Sequence, residues 1–325
     1  MRAPDFWRHH GLLANLLAPA ACLYALGAAR RQRLAQPQEL PVPLICVGNP
    51  VAGGAGKTPV ALSLAGRLIA QGRRPVFLTR GYGGGRAGPT TVDPAQHDAE
   101  AVGDEPLLLA ALAPTVVARD RPAGAQAALA AGAEVIVMDD GFQNPSLRKD
   151  LSLLVVDAAY GLGNRRVLPA GPLREPLSAA LARADALVPL RGEEPVGDLG
   201  ALGDLPQLGA RLRPGRGGLA GRRLLAFAGI GRPEKFFATL ESLGAILVAR
   251  LAFADHRRYR PRELADLRRR AAALEADLIT TEKDLMRLSP PDRQGIETLP
   301  VTVVWDDPEA VDRLLQTLWE EPRRG

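Results

Sequence analysis

Leu44-Ile-Cys-Val-Gly48-Asn49-Pro-Val51-Ala52-Gly53-Gly54-Ala55-Gly56-Lys57-Thr58-Pro59 decides the fold. The apolar run is short enough for a strand, the glycines make a loop, and Pro59 suits a first helical turn, where a missing N–H costs nothing. A strand, a glycine loop and a helix start ending in Lys-Thr is the context in which a phosphate-loop match has meaning. Backbone N–H groups along Val51, Ala52, Gly53, Gly54, Ala55 and Gly56 are expected to cradle phosphate oxygens. Lys57 would reach the β and γ oxygens, and the Thr58 hydroxyl would hold Mg²⁺. The strict pattern has glycine where Val51 stands, so the match is to a G-G-x-G-K-T variant, with Ala52 in place of one NTPase class's extra lysine. Such a site also needs an acid at the end of a neighbouring strand. The run Glu134-Val-Ile-Val-Met-Asp139-Asp140-Gly141-Phe142-Gln143 supplies two, aimed at the crevice where Mg²⁺ is held directly or through water.

Outward from these stretches, short apolar runs alternate with helical patterns, which predicts βαβ units. Strands are expected at 44–47, 75–79, 115–118, 134–138, 151–156 and 186–189, with helices between. A Pro/Gly-rich stretch over 191–221 has little periodicity and reads as a connection, and strands and helices resume from Arg222. The expected fold class is α/β: a P-loop NTPase-type, mostly parallel sheet over 36–206, a linker over 207–221, and a smaller α/β domain over 222–325. The closing helix, 308–319, is free to pack back on the first domain. Residues 1–35 are expected to form a membrane-associated helix.

Composition narrows the function. Of 325 residues, 46% are hydrophobic and 24% charged, which excludes a disordered or fibrous chain. Aromatics are only 4%, against a stacking platform for single-stranded nucleic acid. The net charge is +5, nearly all of it arginine, and an arginine-rich composition carries less information than the four lysines, Lys57, Lys149, Lys235 and Lys283. No nucleic-acid partner is expected. Two cysteines, Cys22 and Cys46, make no disulfide framework, and no Cys/His spacing suggests structural zinc.

Residues 11–29 carry no charge, and nineteen helical residues span roughly 29 Å, close to a bilayer core. Asn15 and Pro19 interrupt them, and Leu12, Leu13, Leu16, Leu17, Leu23, Tyr24 and Leu26 share half the helical wheel. Trp7 lies before this face and Arg30, Arg31 and Arg33 after it, as in a helix lying in an anionic interface. A docking helix is the expectation, with a packing helix and a true span as alternatives.

Other stretches have bland readings. Gly103-Asp104-Glu105-Pro106 precedes a leucine-rich helix, where Asp104 would serve as an N-cap and Glu105 would favour the dipole. Thr79-Arg80-Gly81-Tyr82-Gly83 reads equally as a turn or a mobile phosphate loop. His256 is a lone loop histidine. Thr281-Glu282-Lys283-Asp284 is like a nucleotide-base loop, but the guanine motif fails at Leu285.

Taken together and in this order, the pieces resemble the tetraacyldisaccharide 4′-kinases of lipid A synthesis. The resemblance is carried by Val47-Gly48-Asn49, Gly53-Gly54-x-Gly56-Lys57-Thr58-Pro59, Thr79-Arg80-Gly81-Tyr82-Gly83, Val102-Gly103-Asp104-Glu105-Pro106, Asp139-Asp140-Gly141-Phe142-Gln143, Leu168 to Glu175, Phe227 to Gly231, Asp255-His256 and Thr281 to Asp284. It covers nearly the whole chain. One departure is Phe253-Ala254-Asp255-His256-Arg257, where the family has Phe-Pro-Asp-His-His.

The resemblance implies transfer of the ATP γ-phosphoryl to the 4′-hydroxyl of an acylated glucosamine disaccharide 1-phosphate at the cytoplasmic face of a bacterial inner membrane. It implies Asp104 as general base with His256 as its partner across an interdomain cleft, assembled on closure, and Lys57 as the catalytic cation. Glu105, Asp139, Asp140 and Thr58 are the expected Mg²⁺-side groups, and Gln143 and Lys283 join the loop in holding nucleotide. Arginines between Arg165 and Arg174 are candidates for the substrate's 1-phosphate. No obligate protein partner is expected. The competing class, a P-loop switch or metallochaperone NTPase, would need a guanine motif or a metal-handling Cys/His set, and neither is present.

Overall fold

A computed structural model describes residues 4–192, 199–215 and 217–320. The strands are β1 (Leu44–Gly48), β2 (Pro75–Thr79), β3 (Thr90–Thr91), β4 (Thr115–Val117), β5 (Val135–Asp139), β6 (Leu151–Asp157), β7 (Ala186–Arg191), β8 (Ala210–Pro214), β9 (Arg223–Ala228), β10 (Ile246–Ala252), β11 (Asp277–Thr281), β12 (Ile296–Leu299) and β13 (Val301–Trp305). The helices are α1 (Leu12–Leu16), α2 (Ala18–Leu34), α3 (Lys57–Ala70), α4 (Ala99–Val102), α5 (Asp104–Ala110), α6 (Arg121–Ala130), α7 (Leu177–Leu181), α8 (Pro233–Ser242), α9 (Pro261–Ala273), α10 (Glu282–Met286) and α11 (Pro308–Glu320).

Strands β1, β2 and β5 are apolar and buried at every position up to Asp139, as strands covered on both faces must be. They lie inside a sheet of order β13-β8-β7-β6-β1-β5-β2-β4-β3, parallel except at its two ends. One face is covered by α3, whose Val60, Ala61, Leu64, Ala65 and Leu68 recur at helical spacing, together with α11. The other face is covered by α6 and α7. Since β1 lies between β5 and β6, the loops after β1 and β5 leave the same edge side by side.

A second, parallel sheet runs β10-β9-β11-β12, with Phe236, Phe237 and Leu240 of α8 on one face and Leu264, Leu267 and Ala271 of α9 on the other. The boundaries differ from the sequence expectation. Part of the expected 207–221 linker is β8, a strand of the large sheet. It makes only two pairs with β7, and although Ala210, Leu212 and Pro214 alternate with arginines, only Ala210 among them is buried, so the short alternation sits inside a Pro/Gly-rich stretch. β13, expected in the second unit, pairs antiparallel with β8, and α11 follows it onto α3. There Trp305 donates to Ser63 at 2.9 Å, and Arg67 pairs with Asp312 at 2.7 Å.

The N-terminal segment is two helices broken at Leu17, with Pro19 in the first turn of α2. No helix among the described residues is long and apolar enough to cross a membrane. Its small residues face inward: Ala14 and Ala21 are buried, while Leu12, Leu16, Leu23 and Leu26 stand in solvent. Arg166 donates to the Ala14 carbonyl and the Asn15 side chain, and the Trp7 indole donates to the Pro169 carbonyl, which pins the segment to the loop after β6.

Candidate active site

β1 ends at Gly48 because the turn after β5 crosses it closely: a Cβ there would stand 2.3 Å from the Phe142 Cβ. Beyond it the loop needs glycine at Gly53 and Gly56, whose φ values of 130° and 82° a side chain resists. Gly56 caps α3, and no side chain takes up the cap, so the first-turn N–H groups face outward with the positive end of the helix dipole. The loop is braced from behind. Ala52 N–H donates to the Pro172 carbonyl at 2.7 Å, and the wholly buried Asn49 donates to the carbonyls of Val51 and Gly53 while accepting from Lys57 Nζ at 3.3 Å.

The two aspartates after β5 have different environments. Asp139 is buried, and its Oδ2 accepts from the Thr58 hydroxyl at 3.0 Å, but its Oδ1 has no partner among the described residues. Burial, then the nearby Glu105 charge, pushes its carboxyl up to about 7. Asp140 takes a left-handed φ of 57° and turns toward cations: Arg174 at 2.7 Å and Lys57 at 3.7 Å. Burial works to raise its pKa, but Lys57 and Arg174 outweigh it and hold the carboxyl below its usual range. Gln143 donates to the Asn49 carbonyl and to Glu175, placing it behind the loop.

Asp104 is not an N-cap. Gly103, with φ 96°, caps α5, and among the described residues the Asp104 Oδ1 accepts only from the adjacent Glu105 N–H at 3.0 Å. Its Oδ2 meets His256 Nδ1 at 3.3 Å and Arg287 Nε at 2.8 Å, from the second sheet's side of the molecule. The expected pairing of Asp104 with His256 is made in this structure. Burial works to raise the Asp104 pKa, and the His256 hydrogen bond with the Arg287 and Lys283 charges overrides it, holding the carboxyl far below the carboxylate range. The same bond raises the pKa of His256, whose left-handed φ of 56° and edge contact with Tyr82 fix its ring. Lys283 pairs with Glu105, so both consecutive carboxylates of α5 take a cation from α10 or its C-cap, Arg287.

The structure thus brings Lys57, Thr58, Asp139 and Asp140 together at the loop, and Asp104, Glu105, His256 and Lys283 together at its mouth. Asp284, in the stretch read as a base loop, is wholly buried and accepts from Gly229 N–H, Tyr259, Thr281 and Arg287. Arg166 and Arg174, candidates for a substrate phosphate, are committed to the N-terminal segment and to Asp140. Sequence reasoning passed over Asn49, Arg287, Asp284 and Tyr259. Asn49 had a local signal in its place between strand and glycine loop, whereas the others act through contacts far apart in the chain.

Outward-facing N–H groups beside a lysine and a carboxylate oxygen with nothing to bind make a seat for a polyphosphate. A second carboxylate is paired with a histidine at the mouth, and the fold with this loop is that of a P-loop phosphotransferase. Residues 13–320 match the family model described as tetraacyldisaccharide-1-P 4′-kinase, and the chain belongs to that family. Tetraacyldisaccharide 4′-kinase of Rhodospirillum centenum is 55% identical over 98% of this chain and 97% of its own. That of Paramagnetospirillum magneticum is 51% identical over 98% and 99%. The crystal structure of LpxK from Aquifex aeolicus in complex with ATP superposes with a TM-score of 0.77 at 29% identity, covering 95% of this chain and 100% of that one.

Proposed function

We propose that the chain transfers the γ-phosphoryl group of ATP to the 4′-hydroxyl of a tetraacylated glucosamine disaccharide 1-phosphate. The observation that carries this is the Asp104–His256 pair facing the mouth of the Lys57 loop, close enough that Glu105 is the largest charge acting on Asp139. Family membership supplies the acceptor, since relatives bear its name. ATP is the donor by likeness to the LpxK complex.

The chain's own groups divide the work. Loop N–H groups and Lys57 hold the β and γ phosphates and neutralise the charge that grows between them. Asp104, kept ionised by His256 and Arg287, orients the 4′-hydroxyl and accepts its proton as the oxygen bonds to phosphorus and the bond to ADP breaks. A weak base suffices, because phosphoryl transfer asks mainly for positioning. Pairing with Asp104 across the cleft gives His256 the role of holding that carboxylate toward the acceptor.

The unpartnered, buried Asp139 Oδ1 fits a divalent cation. Among the described residues no three His, Cys, Asp or Glu side chains form a metal cage, which agrees with Mg²⁺ held by one or two side chains plus phosphates and water. Thr58 and Asp139 would hold it and Glu105 lies on the same side, whereas Asp140 is committed to Arg174 and Lys57. When bound, the ion neutralises phosphate charge. Val51, Gly53, Gly54, Ala55 and Gly56 remain the nucleotide cradle, whereas the Ala52 N–H is spent on the Pro172 carbonyl and braces the loop as Gln143 does, with Lys283 at the mouth.

The N-terminal helices dock on a bilayer. Leu12, Leu16, Leu23 and Leu26 stand in solvent while Ala14 and Ala21 pack inward, and Arg30, Arg31 and Arg33 follow, so the enzyme reaches an acceptor whose acyl chains stay in lipid. On this reading it works at the cytoplasmic face of the inner membrane, where ATP is available, in peripheral or monotopic association. Label transfer from γ-labelled ATP to detergent-dispersed acceptor tests the assignment: wild type labels the lipid, and a protein that hydrolyses ATP without labelling it is a P-loop switch instead.

A further inference from the structure

Arg287 takes no part in the assignment above, yet its side chain is only 4% exposed and all three of its guanidinium nitrogens are committed. Nε and Nη2 both meet Asp104 Oδ2, while Nη1 donates to the Gly229 carbonyl at 2.6 Å and to Asp284 Oδ1 at 2.7 Å. The guanidinium therefore joins α5 of the large sheet to the loop after β9 and to α10 of the small one. Asp284 anchors it in turn, being wholly buried and bonded to Tyr259 at 2.8 Å, Thr281 at 2.6 Å and the Gly229 N–H at 3.1 Å.

We propose that Arg287 is a positioning residue for the transfer, reaching across from the second sheet's body to fix the Asp104 carboxylate toward the acceptor hydroxyl. The proposal rests on Asp104 being the proton acceptor. With Oδ1 on the Glu105 N–H and Oδ2 in the arginine fork, the carboxylate has no rotamer freedom left. A planar fork fixes orientation where a lysine supplies only charge. Lys283, four residues earlier at the start of α10, shows the difference: it meets Glu105 by a single nitrogen and is 31% exposed, against 4% for Arg287 at the helix's C-cap. Stability alone does not account for the Arg287 contact, since a buried ion pair is often no more stabilising than apolar residues of similar volume. Its place on the reacting carboxylate does account for it. The active site is then completed by the second body, and the acceptor is engaged only where α10 sits on α5.

The test uses the full chain with the acylated disaccharide 1-phosphate in detergent, and measures kcat, KM for acceptor, nucleotide affinity and melting temperature. Arg287→Gln is expected to lose about 10²-fold in kcat, the scale of a misplaced catalytic group, with KM and nucleotide affinity unchanged. Arg287→Lys should recover part of that loss. The double variant with Asp104→Asn should be no worse than Asp104→Asn alone, as for members of one unit. Wild-type kcat in Arg287→Gln overturns the proposal, as do losses that multiply in the double variant, or equal falls in kcat, nucleotide affinity and melting temperature. If the glutamine variant does not fold, Arg287→Lys decides: a native melt with lowered kcat is expected, and a native melt with wild-type kcat overturns it. Wild-type activity in Asp104→Asn overturns both the Asp104 assignment and this proposal, whereas an inactive Asp104→Asn beside a silent Arg287→Gln overturns this proposal alone.

Discussion

Replacing Leu16 and Leu23 together by aspartate should detach the protein from membranes without touching its chemistry. The two side chains are 75% and 72% exposed, so nearly all of their transfer free energy is still available to a bilayer. Full burial of a leucine is worth about 1.5–3 kcal/mol, so three-quarters of the midpoint gives about 1.7 kcal/mol each. The pair then contributes about 3 kcal/mol, or about 10²-fold in partitioning. New negative charge beside anionic head groups adds to the loss, since each arginine near the surface contributes about 1 kcal/mol by the opposite attraction. Co-sedimentation with vesicles of mixed zwitterionic and anionic lipid reads the partition coefficient, and ATP affinity of the same sample is the control. KM for a long-chain acceptor in vesicles should rise while ATP affinity holds. High salt should release part of the wild type, because it screens the contribution of Arg30, Arg31 and Arg33. Unchanged partitioning of the double variant would refute the docking face.

Three further outcomes are expected. Lys57→Ala should stay folded, by its melting curve, and lose nearly all transfer, because it removes the loop's own cation, which stands beside Asn49 and Asp140. Asn49→Leu leaves the carbonyls of Val51 and Gly53 without their donor and should weaken nucleotide affinity by about tenfold, from about 1–3 kcal/mol per unsatisfied buried group, measured by titration calorimetry. Gly48→Ala places a Cβ 2.3 Å from the Phe142 Cβ and should cost about 1–3 kcal/mol in chemical denaturation, the range for an overpacked core.

The phosphate loop was legible because its signal is local: strand, glycines, lysine and helix start are contiguous, and the aspartates after β5 announce themselves by ending an apolar run. Asp104 was legible as chemistry only through family likeness, since its own neighbourhood reads as a helix cap, a role that Gly103 takes instead. Arg287 and Asp284 were hidden because Arg287 meets its carboxylate 183 residues away in sequence and Asp284 looked like part of a base loop. The joining of β13 to the large sheet was hidden for a related reason: Val301–Trp305 reads as a strand, but nothing in it says that it leaves the second unit to pair antiparallel with β8. The N-terminal break at Leu17 was half legible, since Pro19 was visible but its effect was to start a second helix.

The most direct measurement places the transferred phosphate. The full-length protein, ATP, Mg²⁺ and detergent-dispersed acylated disaccharide 1-phosphate are incubated, and the lipid is analysed by mass spectrometry and phosphorus NMR. The account predicts one new phosphate monoester at the 4′ carbon, ATP consumption that requires the acceptor, and no product with Lys57→Ala. ATP hydrolysis at the same rate without acceptor, with the lipid unchanged, would contradict it.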